Sequence, residues 1–431
     1  IKFMKKNLLN LFNIRKHNNK KFYYPLHEDA LNNEDLLEAV KVLISRQLTM
    51  SKKTIEFENY FKKKLGLNYC LMVNSGSSAN LLALFALINP KKKNRLKIGD
   101  ECLVPAVCWA TSLWPVIQAG LTPKLIDVDL NSFSINLDLI KKNITKKTKV
   151  IMMINVLGNC SEIDKIQKFA KVNNIYLIED NCESLGSKYK NKYLGSYGDF
   201  SSFSFYYSHQ ITAGEGGMIA CKKKKDYDLL KTLRAHGWDR DLSKNKNKKF
   251  NFINSGFNLR PLEVSAAIGL NQFKRLSKMM SIRNYNRNKI IKTLQKAHNW
   301  NEQFIFFNYN KNLKPSWFGF PLLINPKLKK NKDKFLEFLN KNKSNDQRKV
   351  VAYARVSSHD QKADLTRQKQ RLEKVCIENK YDFEVISDLG SGINYNKKGL
   401  NKLINMICNR KVSKLILTFL ASPSPTFSTL I

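Results

Sequence analysis

Apolar residues recur along this chain with two periods, one typical of amphipathic helices and the other of buried strands. Between about 22 and 325, spacings of three and four residues predict helices over Glu34–Arg46, over Thr54–Lys64 and from Leu81 onward. Short apolar runs rich in β-branched residues lie between helical stretches, as buried parallel strands require. These predicted strands are Tyr69–Val73, Glu101–Pro105, Leu125–Asp129, Val150–Val156 and Ile175–Glu179. The alternation predicts an α/β fold.

The pattern restarts after a polar segment near residue 340. The second set of predicted elements is strand Val350–Ser357, helix Asp364–Asn379, strand Glu384–Asp388, helix Leu400–Asn409 and strand Leu415–Thr418. The sequence therefore predicts a basic N-terminal extension over 1–21, a first α/β unit over 22–340, a linker over 341–348 and a second, partial α/β unit over 349–431.

Lysine and arginine outnumber aspartate and glutamate by 75 to 35, a formal net charge of +40. The excess is spread along the chain without an arginine-rich tract. It fits either the codon usage of an AT-rich genome or a preference for anionic partners. A nucleotide-linked substrate would satisfy the second interpretation without any nucleic acid.

The eight cysteines are scattered and form no CxxC pair. This spacing predicts neither a zinc site nor a disulfide framework, and it favours a reducing cytoplasm. No apolar run approaches the ~20 residues that span a bilayer, so no membrane partner is predicted. The chain starts at Ile1 and reaches its first methionine at Met4, which is consistent with a fragment or with a frame read from upstream of its start.

Two segments of the first unit point to a bound phosphate and its chemistry. The small residues of Asn74–Asn80 join a predicted strand to a helix, and a helix N-terminus in that setting binds anions. Ser202–Gly217 reads SFSFYYSHQITAGEGG, which resembles the cofactor-lysine segment of the sugar aminotransferase/dehydratase family that depends on pyridoxal phosphate (PLP). Further segments that resemble this family, in the same order, are Arg95–Asp100, Val104–Trp109, Glu179–Ser184, Arg234–Trp238, Gly256–Glu263 and Ser316–Phe320.

The resemblance implies a fold like that of aspartate aminotransferase (fold type I) and a set of cofactor-binding residues. Gly76, Ser77 and Ser204 would contact the PLP phosphate. Trp109 would stack on the pyridine ring, and Asp180 would pair with its protonated nitrogen.

The same resemblance implies two further contacts with the cofactor. Glu183 would position the cofactor ring or His209. Asn258 would reach the phosphate across a homodimer interface, so that the two copies share their active sites.

His209 occupies the position where most members of this family carry the lysine that forms a Schiff base with PLP. An imidazole cannot form that bond but can move protons near neutral pH. The resemblance is strongest to the histidine-bearing branch of 3-dehydratases that act on GDP-linked sugars. It implies pyridoxamine phosphate (PMP) as a cofactor held without a covalent bond, and His209 as the catalytic base.

The implied reaction converts a nucleotide-linked 4-keto-6-deoxy sugar to the 4-keto-3,6-dideoxy sugar, with L-glutamate restoring PMP, in the synthesis of surface polysaccharide or O-antigen. The alternatives are a sugar aminotransferase and an inactive fusion product. A second histidine-bearing branch uses an iron–sulfur cluster held by closely spaced cysteines. After Cys221 the next cysteine is Cys376, so no cluster is expected.

Where the linker begins, the chain departs from this family. Beyond Asn340 no counterpart is found for the section that completes the small domain, so the first unit is expected to be truncated. Residues 349–419 resemble instead the catalytic domain of serine recombinases (resolvases and invertases). That resemblance implies Ser357 as the nucleophile that attacks DNA and Arg355 as its electrostatic partner. The arginine-bearing helix start that completes such sites is absent after Thr418, so no recombination is expected, and DNA is a partner only if this fragment functions.

Overall fold

The computed structural model of the protein contains two compact units, which are described separately here. The described residues of the first unit are 31–130, 132–242, 250–297, 300, 302, 304–307 and 309–327. Those of the second unit are 332–334, 336–337, 349–356, 362–379, 381–389, 398–408, 412–418 and 427–430. The predicted extension (1–21) and linker (341–348) lie outside the described residues.

The first unit alternates helices and strands over most of its length. Its helices are α1 Asn33–Ser45, α2 Lys52–Leu65, α3 Gly76–Ile88, α4 Ala110–Gln118, α5 Leu137–Asn143, α6 Ile163–Val172, α7 Lys224–Arg234, α8 Glu263–Lys274 and α9 Leu276–Gln295. Its strands are β1 Tyr69–Val73, β2 Glu101–Pro105, β3 Thr122–Ile126, β4 Thr148–Ile154, β5 Tyr176–Asp180, β6 Lys188–Tyr189, β7 Lys192–Tyr193, β8 Phe200–Ser204, β9 Gly217–Cys221, β10 Phe304–Phe306, β11 Leu313–Lys314 and β12 Leu322–Ile324.

Seven of these strands form one sheet in the order β1-β9-β8-β5-β4-β2-β3. Neighbours from β8 to β3 are parallel, whereas β9 is antiparallel to both β1 and β8. Every strand except β9 therefore ends at the same edge of the sheet, and β9 begins there. Loops that follow parallel strands at this edge are where α/β proteins bind ligands.

The strands are nearly continuous in buried apolar residues because helices cover both faces of the sheet. On one face, Leu82 and Val116 pack with strand residues such as Val104 and Met152. Helices α2 and α8 pack against β1, β8 and β9 through a cluster of aromatic side chains. Its members include Phe57, Phe61, Phe203, Phe205 and Phe273.

The sequence pattern predicts eight elements of this unit, and six of them lie within two residues of their observed bounds. The helices predicted over Glu34–Arg46 and Thr54–Lys64 correspond to α1 and α2, and the first two strands have the predicted bounds. The third strand is displaced: it covers Thr122–Ile126 instead of Leu125–Asp129. It is an edge strand, so its residues are more exposed and its apolar pattern is weaker.

The prediction that the third helix begins at Leu81 is wrong. It begins at Gly76, because Ser75 caps it with a side chain that accepts a hydrogen bond from the Ser78 N–H. The small polar residues that suggest a turn therefore form the first turn of α3. The N-terminus of α3 therefore follows the end of β1 by three residues.

The second unit contains one sheet in the order β14-β13-β15-β16. Its described elements are β13 Lys349–Val356, α10 Lys362–Glu378, β14 Phe383–Leu389, α11 Lys398–Cys408, β15 Val412–Thr418 and β16 Phe427–Leu430. The central strand β13 is parallel to β14 and β15, and β16 is antiparallel to β15. The five elements predicted from the sequence for this unit are present, with shifts of one to three residues at their ends.

Among the described helices, none combines the length and the apolar composition that crossing a bilayer requires.

Candidate active site

Asp180 is the last residue of β5, and its carboxylate is buried at the loop edge of the large sheet. One oxygen accepts hydrogen bonds from the Asn80 side chain and from the Ser112 hydroxyl, each at 2.8 Å. The other oxygen accepts from the Cys182 N–H at 3.1 Å. Within the described residues, no basic side chain forms an ion pair with this carboxylate. It is therefore oriented by neutral donors alone.

The N-terminus of α3 lies against the end of β8. A Cβ built on Gly76 would lie 2.6 Å from the Ser204 Cβ and 2.7 Å from the Cys182 sulfur, so only glycine fits. A Cβ built on Gly217 would lie 2.4 Å from the backbone of Ser75. The two glycines therefore bring the helix N-terminus, β8 and β9 together.

This corner has the donors that a phosphate requires. The N–H groups of Gly76 and Ser77 belong to the first turn of α3 and so have no acceptor within the helix. The helix dipole favours negative charge there. Ser204 is buried beside them, and the Ser77 hydroxyl donates to Thr111 at 2.9 Å.

Trp109 precedes α4 and is 73% exposed. Its carbonyl accepts a hydrogen bond from the Ser112 N–H at 2.9 Å, and the Ser112 hydroxyl in turn holds Asp180. The start of α4 therefore places an indole with a free surface close to the buried carboxylate.

His209 lies in the turn after β8, and its imidazole is bound to the backbone of the Asp180 loop. Its Nδ1 lies 2.6 Å from the Cys182 carbonyl oxygen. Because a carbonyl can only accept, Nδ1 carries the proton, and Nε2 of the neutral ring is the nitrogen that can take one up. The ring packs edge-on against Phe318, with centroids 5.0 Å apart.

Burial lowers the pKa of His209 below its ordinary value near 6.5. The Cys182 carbonyl and the charge of Asp180 oppose this shift, and the charge of Arg283 adds to it. The neutral form, which can accept a proton, is thus the form favoured at neutral pH.

The remaining two predicted residues have contacts that the sequence did not indicate. The Glu183 carboxylate accepts a hydrogen bond from the Leu157 N–H at 2.8 Å, and burial raises its pKa. Asn258 is exposed, and its side-chain oxygen accepts from Arg260 at 2.9 Å. Its predicted contact with the phosphate of a second copy stays a prediction.

These features fit PLP or PMP, although the protein structure contains neither molecule. A buried carboxylate without a cationic partner suits a protonated ring nitrogen. A helix N-terminus beside two obligatory glycines suits a phosphate, and an exposed indole suits stacking on a ring. The three features meet at one edge of the sheet, as a single cofactor would require.

Two residues that hold Asp180 were missed in the sequence analysis. Asn80 lies one turn into α3 and Ser112 one turn into α4, so each follows a predicted cofactor residue by three or four positions. That helical spacing is a usable signal once the helix starts are known. Arg283 and Phe318 give no comparable signal, because they approach His209 from distant parts of the chain.

In the second unit, Ser357 lies outside the described residues. Arg355 lies in β13, where it pairs in register with Asp388 of β14. The Asp388 carboxylate accepts hydrogen bonds from the Tyr353 hydroxyl at 2.7 Å and from the Gly399 N–H at 2.9 Å. The predicted motif residues Asp388 and Gly399 are thus brought together, whereas the predicted nucleophile stays untested.

Comparison with known proteins gives two family matches. Residues 29–375 match the DegT/DnrJ/EryC1/StrS aminotransferase family, and residues 350–421 match the resolvase N-terminal domain. The two matches overlap over 350–375, a range that includes described parts of β13 and α10.

Similarity to individual proteins is more specific than the first family match. GDP-4-keto-6-deoxy-D-mannose 3-dehydratase from Escherichia coli O55:H7 is 38% identical over 313 residues, which cover 70% of this chain and 79% of that protein. A lipopolysaccharide biosynthesis protein from Salmonella typhimurium is 32% identical over 330 residues, covering 70% of this chain and 74% of that protein. A solved structure of GDP-4-keto-6-deoxymannose-3-dehydratase with a trapped PLP-glutamate geminal diamine superimposes with a TM-score of 0.69 at 32% identity, covering 84% of this chain and 90% of that one.

Proposed function

The chain belongs to the DegT/DnrJ/EryC1/StrS aminotransferase family, which is PLP-dependent, and we propose that it is a nucleotide-sugar 3-dehydratase. The substrate would be a 4-keto-6-deoxy sugar on a nucleotide, the product its 4-keto-3,6-dideoxy form, and L-glutamate the amino donor. The observation that carries the proposal is His209, an oriented base in place of the Schiff-base lysine, beside a helix N-terminus, a buried carboxylate and an exposed indole that suit the cofactor.

In this proposal the cofactor would be bound by residues at the ends of four strands, β1, β2, β5 and β8, at one edge of the sheet. Gly76, Ser77 and Ser204 would contact the phosphate, Trp109 would stack on the ring, and Asp180 would pair with the ring nitrogen. When bound as PMP, the cofactor supplies an amine that joins a keto carbon and a ring that withdraws electrons.

His209 performs the proton transfers. With Nδ1–H fixed on the Cys182 carbonyl, Nε2 is directed as the basic nitrogen, and the depressed pKa keeps it unprotonated before reaction. With the cofactor bound, His209 would take up a proton at Nε2 and could return it to the departing C3 hydroxyl, which leaves as water. Loss of that hydroxyl would leave the amine on an unsaturated sugar carbon, and hydrolysis of this enamine by water would give the 4-keto-3,6-dideoxy sugar and free ammonia.

We propose further that two copies form a dimer with shared sites and that they work in the cytoplasm, where nucleotide-linked sugars are made. Asn258 and Leu262 are exposed on the loop before α8 and are available to a second copy. The similarity to a lipopolysaccharide biosynthesis protein supports a role in surface polysaccharide synthesis.

The proposal is tested with the full chain, PLP, L-glutamate and GDP-4-keto-6-deoxymannose, with the product identified by NMR and mass spectrometry. We expect a sugar that has lost its C3 hydroxyl. In a His209→Asn variant, which keeps the shape of the site and loses the base, product formation should fall by roughly 10²–10⁴-fold. A 4-amino sugar, or equal rates in both proteins, would reject the dehydratase assignment.

A further inference from the structure

Residues Ser316–Phe318, here called the covering segment, lie over the turn that carries His209. The Phe318 ring meets the imidazole edge-on at an angle of 61°. Ser316 is fully buried and Trp317 nearly so. The position of this segment therefore determines the surroundings of the His209 ring.

Gln210, the residue after His209, binds the covering segment to the loop after β5. Its side-chain nitrogen lies 2.5 Å from the Glu183 carbonyl and 3.3 Å from the Ser316 carbonyl. The side chain is 2% exposed, so these bonds form without competition from water.

Arg283 of α9 makes a second link. Its guanidinium donates to the Trp317 carbonyl at 3.1 Å and lies 3.5 Å from the His209 carbonyl. Among the described residues, no carboxylate forms an ion pair with it, and burial lowers its pKa. A half-buried arginine that donates to two carbonyls is held by their geometry, and its charge therefore stays close to His209.

A third link passes through Leu157. Its N–H donates to the Glu183 carboxylate at 2.8 Å, and its carbonyl accepts from the Phe318 N–H at 3.2 Å. Leu157 adopts a left-handed backbone conformation (φ +54°), which the two bonds hold in place. Glu183 therefore also acts on the covering segment, through the backbone of Leu157.

We propose that Arg283 and Gln210 are positioning residues for His209. Through the covering segment they keep Nδ1–H on the Cys182 carbonyl and so leave Nε2 as the basic nitrogen, and the charge of Arg283 opposes protonation of the ring. The inference rests on the proposed role of His209 as a base, but its structural part does not depend on turnover.

The test measures the tautomer and the titration of His209 by NMR, in the full chain labelled with ¹⁵N-histidine and without cofactor or substrate. The His209→Asn variant identifies its signal among the six histidines. In Arg283→Gln we expect the pKa of His209 to rise, because a nearby positive charge is removed while Asp180 remains. In the turnover assay the same variant should lose kcat about tenfold with little change in KM.

Arg287→Gln is the matched control. Arg287 lies one turn further along α9, is more buried than Arg283, donates to the Phe307 carbonyl at 2.9 Å and stacks on Trp317, yet no described bond joins it to His209. Arg283→Lys keeps the charge and loses the two-pronged donor, so it should retain the pKa of His209 while kcat falls.

Two results would overturn the proposal. One is a His209 tautomer and pKa in Arg283→Gln that equal those of the wild type. The other is a shift of the same size in Arg287→Gln, which would assign the effect to general loosening of α9. If the NMR shift appears and no dehydrated product forms with any variant, the positioning role stands and the proposed function fails.

Discussion

At the residue scale, one histidine determines which chemistry the site can perform. A lysine at position 209 could bind the cofactor covalently and support transfer of the cofactor's amine to the sugar. An imidazole can only move protons. The hydrogen bond from Nδ1 to the Cys182 carbonyl makes this imidazole a directed base. The sequence indicates the substitution, but only the structure shows which nitrogen is available, because Cys182 lies 27 positions away.

The depressed pKa of His209 predicts the pH dependence of turnover. Activity requires the neutral ring and is lost as the pH falls through the pKa of the folded protein. Burial and Arg283 lower this pKa while Asp180 raises it, with the lowering dominant. The acid limb of kcat/KM should therefore have its midpoint below 6.5, and a midpoint above 7 would show that the ring is charged in the resting enzyme.

At the element scale, the site exists because loops from one sheet edge converge. The loops that follow Val73, Ile154, Asp180 and Ser204 meet there: Cys182 lies against Gly76 of α3 and binds His209, and Leu157 binds Glu183. The close approach of α3 to β8 is the most demanding contact, since Gly76 has no room for a side chain.

Gly76→Ala should therefore damage the cofactor site. Its methyl group would meet the Ser204 Cβ and the Cys182 sulfur at less than contact distance, and we expect a loss of about 1–3 kcal/mol in the free energy of unfolding. The stabilisation that added PMP gives in a thermal melt should disappear. Gly216→Ala is the control: its nearest neighbour is a Phe205 ring atom at 3.4 Å, so it should melt and respond to PMP like the wild type. Equal responses of both variants would contradict the proposed phosphate corner.

The sequence predicts strands best where they are buried on both faces, as for β1 and β2, because their apolar runs are continuous. It misplaces β3 at the exposed edge and the start of α3, where small residues serve as both turn and helix. The antiparallel direction of β9 leaves no mark in its composition. Likewise Asn80 and Ser112 could be found only once the helices that carry them were placed, since their role depends on facing Asp180.

At the scale of the whole molecule, the proposed chemistry lies in the first unit. Every proposed cofactor-site residue lies between residues 76 and 258, well inside the aminotransferase-family match. The second unit contains the resolvase N-terminal domain match, and the buried Asp388 carboxylate accepts a hydrogen bond from the Gly399 N–H there. The net charge of +40 is spread over both units, so it does not distinguish a sugar nucleotide from DNA as a partner.

The most direct test of the central claim is the ratio of free ammonia to 2-oxoglutarate formed during turnover of GDP-4-keto-6-deoxymannose with L-glutamate. A 3-dehydratase releases the amine as free ammonia, so we predict one ammonia for each 2-oxoglutarate. An aminotransferase leaves the amine on the sugar, so 2-oxoglutarate accumulating without ammonia would contradict the account.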